Sequence, residues 1–124
     1  MLKYDTLVKE MYERFPEIEE KSKKEDLEKY YDESMPHIAF GTVFVPELIK
    51  AIQNDEEKAY KYFGLLEEME KSDDHLISEV SEFSVLEAIA GYISDDKIEK
   101  YLKTEELREA WHSIRMYIGY IDGE

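Results

Sequence analysis

Glu109-Ala-Trp-His112 is a Glu-x-x-His element. On a helix that spacing puts a carboxylate and an imidazole on one face, the donor set of di-iron helical bundles. Such a site needs two of these elements and two further glutamates. The other histidines, His37 and His75, have serines three residues before them, so the second element is missing, and His112 is expected as a partly buried helix residue beside Trp111. His75 sits four residues before Glu79, but a hard-cation loop needs more oxygen ligands and a glycine at a fixed offset, and the chain has no such loop. There is no cysteine, hence no thiolate ligand or disulfide, which fits a reducing compartment. A Gly-x-Ser-x-Gly elbow and a phosphate loop are also missing. Ser78, Ser81 and Ser84 are expected to let a helix pack closely. The reading assigns no catalytic residue, no cofactor and no metal ligand, and takes the chain as a non-enzyme.

The carboxylates are the unusual feature. From Ser72 to Asp96 the sequence SDDHLISEVSEFSVLEAIAGYISDD carries seven acids and no lysine or arginine. Its two Ser-Asp-Asp brackets read as helix punctuation. A serine at the N-cap accepts a hydrogen bond from an orphaned backbone N–H, and acids in the first turn meet the positive end of the helix dipole. Thr104-Glu105-Glu106 repeats the pattern. Elsewhere, acids have i,i+4 lysines: Glu57 with Lys61, Glu67 with Lys71, Asp96 with Lys100 and Glu99 with Lys103. Asp73, Asp74, Glu79, Glu82 and Glu87 have none, and these five are the candidate partner-binding residues. Two readings stay open for them: solvated charge with no role, or a surface meant to meet lysines and arginines.

The elements that carry these residues are helices. With three prolines and five glycines in 124 residues, long helices fit between the breaks. Leu7, Val8, Met11, Tyr12 and Phe15 mark a helix from Met1 to Phe15, with Pro16 ending it or opening the next. Residues 17–34 read as a polar surface helix in which only Ile18, Leu27, Tyr30 and Tyr31 can face a core. HIAFGTVFV, 37–45, is a strand by composition, but a lone strand has no partner, so helical turns are expected there. Pro36 and Pro46 suit first-turn positions. Ala59, Tyr62, Phe63, Leu66 and Met69 define a helix from Asp55 to Lys71. A wide apolar arc over 73–92 (Leu76, Ile77, Val80, Phe83, Val85, Leu86, Ile89, Ala90) marks the most buried helix. A short helix at 95–102 and a last one from Glu105 to Ile121 complete an all-α single domain of six or seven helices. It is an antiparallel bundle or a short HEAT-like stack of helix pairs, the latter suggested by the echo of IAGYISDD (89–96) in YIGYIDGE (117–124).

Net charge bounds the partners. The chain carries −15, which repels nucleic acid and anionic membrane and is complementary to a basic protein. Residues 1–62 hold −5 of it and residues 63–124 hold −10. Apolar residues at 43% and aromatics at 13% are too many for a disordered acidic chain. No run approaches a signal core or a ~20-residue span, so a soluble, cytoplasmic protein is expected.

PHIAFG (36–41) and EEMEKSDDHLISEVSEFSVLEAIAG (67–91) resemble a group of small acidic all-helical bacterial proteins, some of which are immunity proteins. The resemblance covers 36–93, about half the chain, and its motifs are packing and capping residues. It implies a protein-binding inhibitor that masks a basic toxin, a nuclease for example, and it carries over no binding residues. The alternatives are a phage-type DNA mimic acting on a nucleic-acid-binding defence protein, and a small helical scaffold.

Overall fold

The first helix starts only where side chains find something to pack against. In the computed structural model, which describes residues 1–121 and side chains through 118, a 3-10 turn at Tyr4–Thr6 leads into α1, Leu7–Arg14. The helix expected from Met1 thus begins six residues late. Met1 and Lys3 are exposed, and a helical turn without burial does not repay its nucleation cost. Pro16 opens α2, Pro16–Lys24, at the first-turn position where its missing N–H is harmless. The polar segment then breaks at Asp26, whose φ of 55° is the left-handed region that aspartate tolerates. Of the four residues expected to face the core there, Ile18 and Tyr31 are buried, Leu27 packs in part and Tyr30 is exposed. Ser22 was not among them, yet it is fully buried. Its hydroxyl lies 2.6 Å from the Tyr31 hydroxyl and accepts from Tyr12 at 3.3 Å, and the two tyrosines also bond each other. This closed polar ring ties residue 31 to α1 and α2.

Residues 36–54 form one helical run, α3, so the helical expectation for 37–45 holds and the strand alternative does not. Its middle, Phe40–Phe44, is a π turn, in which the Val45 N–H donates to the Phe40 carbonyl. Pro46 follows at once. A proline ring clashes with the carbonyl four residues back and donates no bond; the wider turn accommodates both defects. Asp55 caps α4, Glu56–Glu70, accepting from the Lys58 N–H at 3.2 Å. Ala59, Tyr62, Phe63, Leu66 and Met69 are buried as the spacing predicts, joined by Leu65. Tyr62 meets Phe15 at 4.7 Å and Phe44 at 5.4 Å, both edge-on, and Phe63 stacks on Tyr101 at 4.9 Å. Each such ring contributes roughly 1.5–3 kcal/mol through burial.

The run at 75–90, α5, also carries a π turn, Val80–Leu86, and the Glu87 N–H reaches back to the Glu82 carbonyl. Its wider period corrects the expected apolar arc: Ser81 turns fully inward, while Leu76 and Phe83 stay 51% and 55% exposed. Burial is shared among α3, α4 and α5 rather than concentrated in α5. A short α6 (95–101) and α7, Glu105–Ile121, follow. Asp95 accepts from the Trp111 indole at 2.9 Å and pairs with Arg115 at 3.1 Å, locking α6 to α7. α3 packs on α1, α2, α4 and α5, and α4 packs on α5, α6 and α7. The seven helices among the described residues therefore form an all-α bundle around α3, α4 and α5. The second copy of the sequence echo, 117–124, runs outside the described residues. None of the described helices is long and apolar enough to cross a membrane.

The brackets are helix punctuation, but displaced. Asp74, not Ser72, caps α5, accepting from the Leu76 N–H at 2.9 Å; the Ser72 hydroxyl accepts from the Asp74 N–H at 3.1 Å. Ser94 occupies the N-cap of α6 without a side-chain cap bond, its hydroxyl donating to Asp96 instead. Thr104 caps as expected, accepting from the Leu107 N–H at 3.2 Å. Asp74→Ala is therefore expected to lose about 0.5–2 kcal/mol in urea unfolding. Ser72→Ala and Ser94→Ala should each stay within about 0.5 kcal/mol.

Candidate functional site

The five candidate acids do not form one patch. Asp73 and Asp74 face an open groove of about 690 Å³ between the N-terminal segment and the α4–α5 connection, whose walls also carry Lys3, Tyr4, Lys71 and Leu76. The two lysines offset their charge, and Asp74 is occupied as a cap. Glu79 and Glu87 lie on the outer side of α5 with Phe83 between them, Glu79 exposed and Glu87 half-buried. The four-residue step from Phe83 to Glu87 matches the wide π turn and keeps both on one stripe, with Leu76 at its start. Among the described residues none of the five candidate acids makes a salt bridge. Asp95, the one acid of the base-free stretch that does, uses Arg115.

Glu82 departs from expectation. The sequence places it as an exposed acid on the partner face, whereas it is half-buried beside Glu70, at the end of α4. Burial pushes the Glu70 carboxyl up to about 8, with the Glu82 charge adding to the rise and the Ser81 hydroxyl opposing it. Burial also raises Glu82; Glu70 acts against that shift and the Glu79 charge with it. Glu70 Oε2 and the Ser81 hydroxyl are both buried, and among the described residues neither has a hydrogen-bond partner unless the hydroxyl turns to the carboxyl. Sequence reasoning missed Glu70 because it sits in an ordinary Glu-Glu-x-Glu run, twelve residues and one helix away from its neighbour.

The four expected i,i+4 pairs are not formed among the described salt bridges. Lys100 reaches Glu56 at 2.9 Å instead, and Arg14 joins Glu10 (3.0 Å) to Glu68. Exposed pairs are worth only a few tenths of a kcal/mol, too little to hold long side chains against a competing partner. His112 is exposed rather than partly buried, His75 is exposed as well, and the described residues contain no gathering of three His, Asp or Glu side chains suited to a metal ion. The third histidine was not singled out: His37 Nδ1 lies 2.5 Å from the Ser84 hydroxyl and joins the π turn of α5 to the start of α3. Ser84 thus makes a hydrogen bond where spacing alone suggested close packing.

A family model described as a domain of unknown function, DUF7674, matches residues 8–118, from the first helix into the last. The chain belongs to the DUF7674 family. No curated protein and no solved structure matches it. In this DUF7674 member the match takes in the α5 stripe, Glu70, Glu82 and both π turns, and leaves out the N-terminal side of the groove wall, residues 1–5.

Proposed function

We propose that the protein binds a basic protein partner through the outer face of α5 and acts as an inhibitor of the toxin-immunity kind, masking a cationic, nuclease-like surface. One observation carries this reading: Phe83, more than half exposed, stands between Glu79 and Glu87, with no base in salt-bridge reach among the described residues. An aromatic anchor flanked by unpaired charge is the composition of an interface centre, where the ring supplies buried area and the charges fix register. Folding gains nothing from leaving either unsatisfied. A DNA mimic would set carboxylates along an extended face in place of phosphates; here they alternate with Leu76 and Phe83, which favours a partner with apolar side chains among its lysines and arginines.

Affinity capture with the protein and its Glu79→Lys variant, side by side, tests this. A basic partner retained by the first and lost by the second supports it; a partner held equally by both, or an acidic one, contradicts it. With that partner, the association rate is expected to fall as salt rises from ~50 to ~500 mM, because the Debye length shrinks below the size of the interface.

A further inference from the structure

The outer stripe of α5 has a second wall, supplied by α3. His37, the second residue of α3, lies 2.5 Å from the Ser84 hydroxyl, and a Cβ added at Gly41 would stand 4.0 Å from the Ser84 carbonyl oxygen. Residues 37 and 41 are one turn apart, so this row of α3 runs close against the π turn of α5. The residues beside the seam sort by side. Phe40 and Val85 turn to the core and are fully buried, whereas Ile38 and Phe83 turn to solvent and are 47% and 55% exposed. Both exposed side chains therefore flank one seam on its outer side. Met35, one turn before Ile38, is exposed as well. Acids frame this apolar strip at both walls. Glu79 and Glu87 stand one turn either side of Phe83, and the exposed Asp32 and Glu33 lie in the turn that the Met35 N–H closes on the Asp32 carbonyl at 3.0 Å. Among the described residues none of these four makes a salt bridge.

We propose that the α3–α5 seam receives an amphipathic basic helix of the partner, its apolar side chains laid between Ile38 and Phe83 and its lysines or arginines against the flanking acids. The inference rests on α5 being a docking face; it adds α3 as the second wall and a helix as the element that the partner presents. Charge selects among occupants. At a net charge of −15, a second copy of the chain and an anionic membrane are both repelled from this surface. Shape selects further. An extended peptide docks by adding a strand to a sheet edge, and the described residues form no strand. A helix touches both walls at once through side chains at i, i+3 or i+4 and i+7, and keeps its flanking positions for charge. The thioether of Met35 can refit around the ridge that enters.

Two peptides of identical leucine and lysine composition, each about four helical turns long, test the groove. One is ordered so that its leucines share a helix face, and the other is scrambled so that they do not. Calorimetry at about 150 mM salt, where distant charge is screened, is expected to show the facial peptide bound at least about tenfold more tightly than the scrambled one. Ile38→Gln should cost the facial peptide about tenfold in affinity and leave decalysine binding unchanged, and Met35→Gln should act in the same direction. Both residues are exposed, so circular dichroism of the variants should match the wild type. Equal affinity for the two peptides, no binding of the facial one, or facial binding indifferent to both substitutions overturns the groove. Loss of decalysine binding in Glu79→Lys would then still uphold the acidic face of α5. Decalysine binding indifferent to Glu79→Lys overturns the docking face and the groove with it.

Discussion

Glu79→Lys combined with Phe83→Ala is expected to weaken binding of a basic partner by about 2–5 kcal/mol, the range for losing a charge pair and an aromatic anchor at an interface centre. The same variant should unfold within about 0.5 kcal/mol of the wild type. Glu79 is exposed and Phe83 55% exposed, so neither change opens a cavity or strands a buried charge. Lysine at 79 also restores an acid–base balance that α5 lacks. The control is Glu57→Lys, at an exposed acid on α4, whose reversal changes net charge by the same amount as Glu79→Lys. Isothermal titration with the captured partner reads the difference. Equal losses for the two variants would mean that only total charge counts, and no loss for either would remove the acidic face altogether.

Glu70→Gln is expected to stabilise the protein at pH 7 and to make no such gain at pH 4. Burial raises the folded carboxyl from 4.5 to about 8, so the folded state holds a proton that the unfolded chain releases near 4.5. Stability from this group is fully present below 4.5 and is lost as pH climbs toward 8. A glutamine has no charged form for the unfolded chain to gain, so the substitution removes that loss. Allowing for the partial solvent exposure of the pair, the gain at pH 7 is about 2 kcal/mol, or roughly 6–10 °C in melting temperature for a chain of this size. Thermal melts at pH 4 and pH 7 check it. Destabilisation at both values would mean that Glu70 is ionised and held by contacts that glutamine cannot make.

Much of the bundle was legible because it rests on local rules. The apolar spacing of α4 predicted its buried face residue by residue, Pro16 and Thr104 stood at helix starts, and the absence of a strand partner decided 37–45. What was not legible depends on contacts between helices. The π turn of α5 gains its extra residue against the π turn of α3, and nothing in VSEFSVL alone says that the period widens. A strict 3.6-residue reading therefore put Phe83 inside, which hid the apolar half of the candidate face, although Ser81 does pack inward as the serine spacing suggests. Ser72 lost the cap to Asp74 because the two capping residues, two positions apart, compete and the carboxylate sits closer to the first free N–H. Of the five candidate acids, Glu79 and Glu87 fall on one stripe of α5, on either side of Phe83. Asp73 and Asp74 face a groove with lysines of its own, and Glu82 answers to Glu70, a neighbour that only the packing of α4 on α5 supplies.

Backbone amide shifts of the 15N-labelled protein, titrated with decalysine at about 150 mM salt, test the docking face most directly. At that ionic strength, charges more than about 8 Å from the peptide are screened, so shifts report contact rather than net charge. The largest changes are expected along 76–87 and at Glu70, and should vanish in the Glu79→Lys, Phe83→Ala variant. Changes spread evenly over the acidic residues of the whole chain, or gathered at 1–5 and 71–74 around the N-terminal groove, would contradict the account.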